Sequence, residues 1–157
     1  MERIFNPRQF GALGDGITLD TKAIQAAIDE AGIAAERGAK TIVVLSKGIY
    51  LTSSLFLKSH MEFRMEEGAI LLGTTDESQY PIMHTRVAGV EMEWTVGILN
   101  VNGQEDVKIT GKGCIDGQGP YWWNKYWGED RKGGMRKVYE PNFILIHGFN
   151  FLTCRKS

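Results

Sequence analysis

The stretch FGALGDGITLDTKAIQAAIDEA, Phe10–Ala31, joins a glycine-rich turn to an amphipathic helix. Glycines surround Asp15, Thr18 follows as an expected N-cap, and Asp20 in the first turn suits the helix dipole. Gly38 is typical of a residue that ends a helix, so the pattern predicts a helix over about 18–37. Its apolar residues recur at helical spacing and form one stripe: Ala23, Ile24, Ala27, Ile28 and Ala31.

A glycine-rich turn before a helix is found in phosphate-binding loops, in active-site loops and in purely structural turns. The GALGDG segment has no lysine of the kind that a P-loop requires. No strand is predicted before it, and it lacks the acidic residue of a dinucleotide-binding fold. We therefore interpret these glycines as architecture and not as a phosphate site.

Short strand-like runs follow the helix, and no second helix separates them. Each closes on a glycine or a polar turn, which also accounts for the 19 glycines of the chain. A doubly wound sheet needs helical crossovers and is excluded, whereas a sandwich of hairpins stays open as an alternative. The pattern favours a solenoid of short stacked strands, a parallel β-helix. The runs are TIVVL (41–45), IYLTSSLFLK (49–58), MEFRM (61–65), AILLG (69–73), VGILNV (96–101), VKIT (107–110) and GCID (113–116).

The open end of such a solenoid exposes an unpaired strand edge and an apolar interior. The apolar stripe of the predicted helix is suited to cover that end. The expected fold class is therefore all-β, a parallel β-helix with an N-terminal capping α-helix.

The composition is that of an ordinary folded domain. The 157 residues are 43% hydrophobic and 24% charged, with a net charge of −1. This balance gives no basis for a nucleic-acid or membrane-surface partner, and no segment has the length of a membrane span.

The first residues lack the apolar core of a signal peptide, so the chain as written is expected in the cytoplasm. Cys114 and Cys154 fit no metal-binding spacing, and Cys114 is expected to be a buried free thiol.

Four segments in chain order resemble the N-terminal part of glycoside hydrolase family 28, the polygalacturonases that degrade pectin. They are GALGDGITLDTKAIQAAIDEA, TIVVLSKGIYLTSSLFLKS, MEEGAILLGTTD and ITGKGCIDGQGPYWW, and the resemblance runs from about residue 5 to about residue 137. It implies a right-handed, pectin-lyase-like parallel β-helix in a protein that is usually secreted or periplasmic. The implied partner is a polysaccharide: pectin, galacturonan or rhamnogalacturonan side chains. The implied activity is inverting hydrolysis of α-1,4 bonds between galacturonic acid units or of a related bond.

The first of these segments is less specific than the last. It also resembles the opening of other β-helix proteins, including phage tailspikes. A non-catalytic carbohydrate-binding or tailspike-like module is therefore the alternative interpretation, although the IDGQG…WW segment favours the hydrolase family.

The catalytic motifs of that family do not occur in this chain. Asn-Thr-Asp, Asp-Asp, Gly-His-Gly and Arg-Ile-Lys are absent, and Ile146 precedes the pair His147-Gly148. Residues 1–141 are therefore expected to be the truncated N-terminal part of one β-helix domain, inactive alone and able to self-associate through an exposed last turn. Residues 142–157 form an atypical tail, either a divergent pair of strands or a frameshifted end.

No pair of carboxylates stands out as a catalytic acid and base. Inverting hydrolysis needs two carboxyl groups about 6.5–9.5 Å apart. The candidates Asp15, Asp76, Asp106 and Asp116 all lie in glycine-rich or polar turns, where an aspartate usually bonds to its own backbone. We expect each of them to stabilise its turn.

The histidines do not form a recognisable site either. His60, His84 and His147 have no nucleophile or metal-binding companion at a characteristic spacing. We expect them to be solvent-exposed or to lie in turns, and no metal or cofactor is indicated.

The segment YWWNKYWGEDRKGGMRK, Tyr121–Lys137, is the best candidate for substrate binding. Aromatic faces stack on sugar rings, and guanidinium groups bind carboxylates such as those of galacturonate. We therefore predict Trp122, Trp123, Arg131 and Arg136 as substrate-binding residues. The alternative is that the rings pack on the preceding turn of the solenoid and that the charges are solvated.

Overall fold

The computed structural model describes residues 1–87, 90–122 and 144–146. The helix α1 (Thr21–Glu36) follows two short strands, and further strands make up most of the rest. Two 3₁₀ helices, Pro7–Phe10 and Glu77–Gln79, and a helical turn at 119–122 lie between strands. The strands are β1 (Glu2–Phe5), β2 (Asp15–Leu19), β3 (Lys40–Leu45), β4 (Gly48–Thr52), β5 (Leu55–Phe56), β6 (Met61–Met65), β7 (Ala69–Gly73), β8 (Ile82–Val87), β9 (Val90–Thr95), β10 (Leu99–Val101), β11 (Val107–Gly111), β12 (Cys114–Asp116) and β13 (Ile144–Ile146).

Most strands belong to three parallel sheets that the chain visits in turn. Sheet A contains β1, β3, β6 and β11, sheet B contains β2, β4, β7 and β12, and sheet C contains β5, β10 and β13. The sets β3–β4–β5, β6–β7–β10 and β11–β12–β13 are therefore successive rungs, each one turn of a solenoid. The predicted parallel β-helix is confirmed.

Equivalent residues of successive rungs stack in the interior. In sheet B, Tyr50 pairs with Leu71, and Leu71 pairs with Ile115, and all three side chains are buried. In sheet A, Val43 pairs with Phe63 in the same core. Parallel pairing in constant register keeps the same face of each strand inward, so these apolar columns run along the solenoid axis.

The helix α1 closes the N-terminal end of the solenoid, as predicted. It packs against β1, β3 and β5. Gly38 has a φ of 87° and donates its N–H to the carbonyl of Ala35, which is the left-handed helix end that the sequence predicts. The buried members of the stripe are Ile24, Ala27, Ile28 and Ala31, all of them part of the main core.

The beginning of α1 differs from the prediction. Thr18 is not the N-cap, because it lies in β2 and is held there by Asp15. The Asp15 carboxylate accepts hydrogen bonds from the N–H groups of Ile17 and Thr18 and from the Thr18 hydroxyl. The helix begins at Thr21, and the side chain of Asp20 makes no capping hydrogen bond to it.

Asp20 instead ties the glycine-rich turn to the start of α1. Its side chain is buried, with 2% of the residue exposed. One carboxylate oxygen accepts the N–H of Leu13 and the other accepts the N–H of Gly14, both at 2.9 Å. The carboxylate thereby satisfies two backbone donors of a turn that has no ladder partner for them.

Arg8 holds the same turn from its other side. Its guanidinium donates to the carbonyl oxygens of Leu13 at 2.7 Å and Lys47 at 2.9 Å. Gly14, with a φ of 64°, and Gly48 leave room for it, since a Cβ at either position would lie 2.7 Å from Nη2 of Arg8. The glycines therefore serve the packing of this turn, in agreement with the interpretation from sequence.

Some strands are not predicted by the sequence patterns. β1 and β2 precede α1, so the expectation that no strand lies before the glycine-rich turn is wrong. β8 and β9 form an antiparallel hairpin in which His84 lies opposite Glu93. The predicted strand at 96–101 is shorter, because only β10 pairs with its neighbours.

The cysteine prediction is also wrong. Cys114 begins β12, is only partly buried and is disulfide-bonded. Cys154 lies outside the described residues. Of the predicted atypical tail, residues 142–157, the structure describes 144–146, which extend sheet C as β13 beside β10. The origin of that tail stays a prediction.

The connections from sheet B to sheet C, here called the BC corner, lengthen from rung to rung. In the first rung only Ser53 and Ser54 separate β4 from β5. Residues 74–98, which include the β8–β9 hairpin, join β7 to β10, and residues 117–143 join β12 to β13. Long loops on a rigid scaffold commonly carry binding and catalytic residues, so the BC corner is the first place to look for a site.

Replacing Asp20 by Asn tests the link between the turn and α1. An amide has one oxygen, and its NH₂ group would face an N–H donor, so at least one of the two hydrogen bonds is lost. We expect the free energy of unfolding to fall by about 1–3 kcal/mol in urea denaturation. Asp29→Asn, on the exposed side of α1, is the matched control and should change it by less than about 0.5 kcal/mol. Equal effects of the two substitutions would contradict this role of Asp20.

Candidate functional site

A depression opens at the BC corner of the third rung. It has a volume of about 250 Å³ and is lined by Asp116, Gln118, Pro120 and Tyr121. Asp116 is the last residue of β12, and the other three lie in the turn that follows it. Strand β12 therefore positions one of these four lining residues, and the turn after it positions the other three.

Gln118, in the turn after β12, has a strained backbone conformation. Its φ of 56° lies in the left-handed region, which costs a residue other than glycine about 1–3 kcal/mol. Its N–H donates to Oδ1 of Asp116 at 2.9 Å, and its side-chain Nε2 donates to the carbonyl of Gly73 at 2.6 Å. These bonds anchor Gln118 both to the preceding strand and to the second rung.

Three aromatic rings run from the core to the surface beside the depression. Tyr80 and Trp122 meet edge to face with ring centroids 6.0 Å apart, and Trp122 meets Tyr121 in the same way at 5.0 Å. Trp122 is 3% exposed, and its indole N–H donates to the carbonyl of Gly117 at 3.0 Å. Tyr121 is 42% exposed.

Tyr80 is the inner anchor of these rings. It lies at the base of the β8–β9 hairpin, and its hydroxyl donates to the carbonyl of Thr74 at 2.8 Å. Burial raises the pKa of the Tyr80 phenol well above its usual range, so this donor keeps its proton. The rings thus join the loop of the second rung to the loop of the third.

The predicted substrate-binding residues have different outcomes. Trp122 is buried, and a ring with so little exposure has no open face for a sugar, so its position supports the alternative packing role. Trp123, Arg131 and Arg136 lie outside the described residues and stay predictions. Tyr121 was not singled out by the sequence, because adjacent residues of a helical turn differ in direction and the pattern alone does not show which ring turns outward.

Three of the four aspartates accept hydrogen bonds within their own turns, as predicted. Asp15 and Asp76 accept hydrogen bonds from backbone N–H groups two residues ahead, and Asp116 does the same from Gln118. The bond from the Thr18 N–H, with others in the same turn, holds the pKa of the Asp15 carboxyl below its usual range. Asp106, with a φ of 53°, lies 3.4 Å from Nδ1 of His60. Oxygens held in this way stabilise turns and do not form an acid–base pair.

The two histidines that the structure describes, His60 and His84, are exposed, as expected. His60 lies 3.4 Å from carboxylate oxygens of both Glu105 and Asp106, and His84 lies within 3.5 Å of Glu91 and Glu93 on the hairpin. His147 lies outside the described residues. Among the described residues, no group of three His, Cys, Asp or Glu side chains could hold a metal ion. No described helix is long and apolar enough to cross a membrane.

A smaller cavity, of about 50 Å³, lies on sheet A and includes Glu62 and Lys108 in its lining. Glu62 accepts hydrogen bonds from the Thr110 hydroxyl on β11 and from Nε of Arg64. Burial raises the pKa of the Glu62 carboxyl, but these two bonds outweigh it and leave the pKa below its ordinary value of 4.5. The carboxylate therefore joins the second and third rungs and is stabilising when ionised.

The sequence of the chain matches a family model and several known proteins. Residues 4–64 match the family model described as rhamnogalacturonase A/epimerase, pectate lyase-like. The chain is 35% identical over 125 residues to an exo-poly-alpha-D-galacturonosidase of Dickeya chrysanthemi, which covers 74% of this chain and 20% of that protein. It is 38% identical over 148 residues to a probable polygalacturonase of Vitis vinifera, with 87% and 28% covered.

Two solved structures agree with the sequence relatives. The family 28 exopolygalacturonase of Yersinia enterocolitica superposes with a TM-score of 0.65 at 34% identity, over 74% of this chain and 21% of that one. The hyperthermoactive exopolygalacturonase of Thermotoga maritima gives 0.71 at 28% identity, over 89% and 30%. These matches support a polygalacturonase-like fragment of glycoside hydrolase family 28. The right-handed, pectin-lyase-like β-helix is confirmed, and the chain spans less than a third of the length of each of these relatives.

The stabilisation that Glu62 contributes to the fold depends on pH. Because its folded pKa is lowered, its stabilisation is fully present above pH 4.5, the ordinary value, and is lost as the pH falls through the folded pKa. We expect Glu62→Gln to be less stable than the wild type at neutral pH, with a difference that shrinks below about pH 4.5 in urea denaturation. Glu67→Gln, in the exposed turn after β6, is the control. A Glu62→Gln difference that stays constant with pH would contradict this assignment.

The contrast between neighbouring rings is testable by truncation. Trp122→Ala removes a buried ring and is expected to lower the free energy of unfolding by about 3–5 kcal/mol. Tyr121→Ala removes a ring that is 42% exposed and should cost much less. Thermal and urea denaturation of both variants measures the difference, and equal losses would show that Tyr121 is also a packing residue.

Proposed function

We propose that the protein to which this segment belongs is a glycoside hydrolase that cleaves galacturonic acid polymers of pectin. The identity of 38% over 148 residues to a polygalacturonase carries this proposal. The parallel β-helix shared with exopolygalacturonases supports it. A polysaccharide is accordingly the partner of the whole protein.

The described residues supply scaffold and binding surface and no catalytic pair. Inverting hydrolysis needs an acid to protonate the leaving oxygen and a carboxylate to activate water across the sugar ring. The oxygens of Asp15 and Asp76 accept hydrogen bonds within their own turns, and Asp116 accepts the N–H of Gln118. We therefore propose that the catalytic carboxylates lie outside the described residues.

Activity of two forms tests the proposal. The 157-residue chain and a longer form read from the source DNA beyond Ser157 are each incubated with polygalacturonate, and new reducing ends are measured. We expect hydrolysis by the longer form, with inversion at the new anomeric carbon seen by NMR, and none by the chain alone. Unsaturated products would indicate a lyase, and hydrolysis by the chain alone would place the catalytic residues within it; either result overturns the proposal.

We also infer that the chain alone self-associates through its last rung. In the described part, β11 and β12 end sheets A and B with no further strand beside them. Unpaired edges of this kind favour pairing with another chain. Light scattering after size exclusion should show oligomers whose size increases with concentration, while the longer form stays monomeric. A chain that remains monomeric over the whole concentration range would contradict this inference.

A further inference from the structure

We propose that Asn102 is a site of spontaneous covalent modification, at which the side-chain amide is lost as ammonia and an aspartate or isoaspartate remains. Asn102 begins the turn 102–106, which joins β10 of sheet C to β11 of sheet A. This inference concerns the chemistry of the turn itself and goes beyond the proposed function, on which it does not depend.

The reaction joins the side chain of an asparagine to the backbone nitrogen of the next residue. The nitrogen of Gly103 loses its proton and attacks Cγ of Asn102, which closes a succinimide ring. The bond from Cγ to Nδ2 breaks, and the amide leaves as ammonia with that proton. Water then adds to either ring carbonyl and opens the ring. Opening at Cγ leaves aspartate, whereas opening at the main-chain carbonyl leaves isoaspartate, in which the main chain continues through the side chain.

The residue after Asn102 favours this attack. Asn102 is the only asparagine of the chain that is followed by glycine, so no side chain hinders the approach of the backbone nitrogen. Gly103 has a φ of 65°, which glycine adopts without strain, and a Cβ built there would meet no heavy atom within 4 Å. Both residues are exposed, so water reaches the place where the ring forms and opens.

Asn100, two residues earlier, shows what protects an asparagine in the same fold. It is 5% exposed, and its Nδ2 donates to the carbonyl oxygens of Leu55 and Gly97 at 3.0 and 2.8 Å. Its Oδ1 accepts the N–H of Gly97 at 3.0 Å. The next residue, Val101, is β-branched and lies in β10. We therefore expect Asn100 to keep its amide while Asn102 loses its own.

Asp15 precedes a glycine as well but is protected by its turn. An aspartate forms the same ring by loss of water, and only its neutral form is readily attacked, because a carboxylate anion repels a nucleophile. The Asp15 carboxylate accepts the N–H groups of Thr18 and Ile17, and these bonds hold the pKa of its carboxyl below the usual range. The carboxyl therefore stays ionised and unreactive at neutral pH.

Isoaspartate at position 102 would disturb contacts between the second and third rungs. Oε1 of Gln104 accepts the N–H of Ser59 at 2.8 Å and its hydroxyl at 2.9 Å. The N–H of Glu105 donates to the Ser59 hydroxyl at 3.1 Å, and the N–H of His60 donates to the Glu105 carbonyl at 3.0 Å. Isoaspartate lengthens the main chain by one carbon atom just before these residues. It also adds a negative charge to a turn that already carries Glu105 and Asp106.

Ageing of the 157-residue chain tests the site. The folded protein is incubated in mildly alkaline buffer, circular dichroism checks that it stays folded, and tandem mass spectrometry locates the change. We expect Asn102 to gain the mass that replacement of an NH₂ group by OH gives, and an isoaspartyl methyltransferase to label the same peptide. The reaction should be slower in mildly acidic buffer, because the nitrogen of Gly103 must lose its proton.

Asn102→Gln is the matched control for the site. Its side chain keeps the amide but is longer by one methylene, so the ring would be larger and forms far less readily. We expect this variant to lose the modification under the same conditions. An unmodified Asn102 in the folded wild type, or earlier modification of Asn100, overturns the proposal.

The effect on the turn is measured separately. Asn102→Asp carries the new charge on a normal main chain, whereas the aged protein that the methyltransferase labels carries the lengthened chain. We expect the aged form to unfold at a lower urea concentration than Asn102→Asp. Equal midpoints would overturn the expected loss of contacts between the rungs.

Discussion

The unpaired first rung is the constraint on which the rest of this structure depends. Parallel strands are stable in a stack only where each has a neighbour, and the first turn of a solenoid has none on its outer side. Here β1 and β2 extend sheets A and B outward, and α1 covers the interior with its apolar stripe. Asp20 fixes the start of α1 against the glycine-rich turn through two backbone N–H groups. A buried carboxylate therefore fixes how the cap meets the first full rung.

Because sheets A, B and C repeat in register, variation between rungs collects at the BC corner. The first rung crosses that corner with two serines, whereas the next two insert residues 74–98 and 117–143. The described parts of these insertions are not independent, since Tyr80 of one packs against Trp122 of the other. The two loops therefore pack against each other through side chains that are buried in the core. Tyr121 owes its fixed position to this contact between two rungs.

The sequence predicts the repeating part of the fold well and the particular contacts less well. The capping helix and most strands follow from periodicity, because each buries one apolar face. The N-cap was predicted wrongly because Thr18 and Asp20 both suit that position by residue type, and only the packed turn shows that Asp15 and Asp20 bind backbone N–H groups elsewhere. The β8–β9 hairpin carries exposed charges opposite one another and has no apolar run that marks it. The sequence does not distinguish the exposed ring of Tyr121 from the buried ring of Trp122, because neighbouring residues of a helical turn differ in direction.

In a solenoid, the residues that form the scaffold, bind a ligand and catalyse a reaction can lie on different rungs. The described residues of this segment illustrate that division. Neighbouring rungs are about 4.8 Å apart, so a surface along the solenoid axis brings together residues that are far apart in the chain. Asp15 and Asp76 bond within the turns that shape the rungs, and Asp116 and Gln118 line the depression at the third rung. Contacts at sugar units remote from the reacting bond still contribute to catalysis, because their binding energy helps to hold the substrate in the reactive geometry. Among the described residues, the contacts from Tyr80 through Trp122 to Tyr121 link the loop of the second rung to the loop of the third.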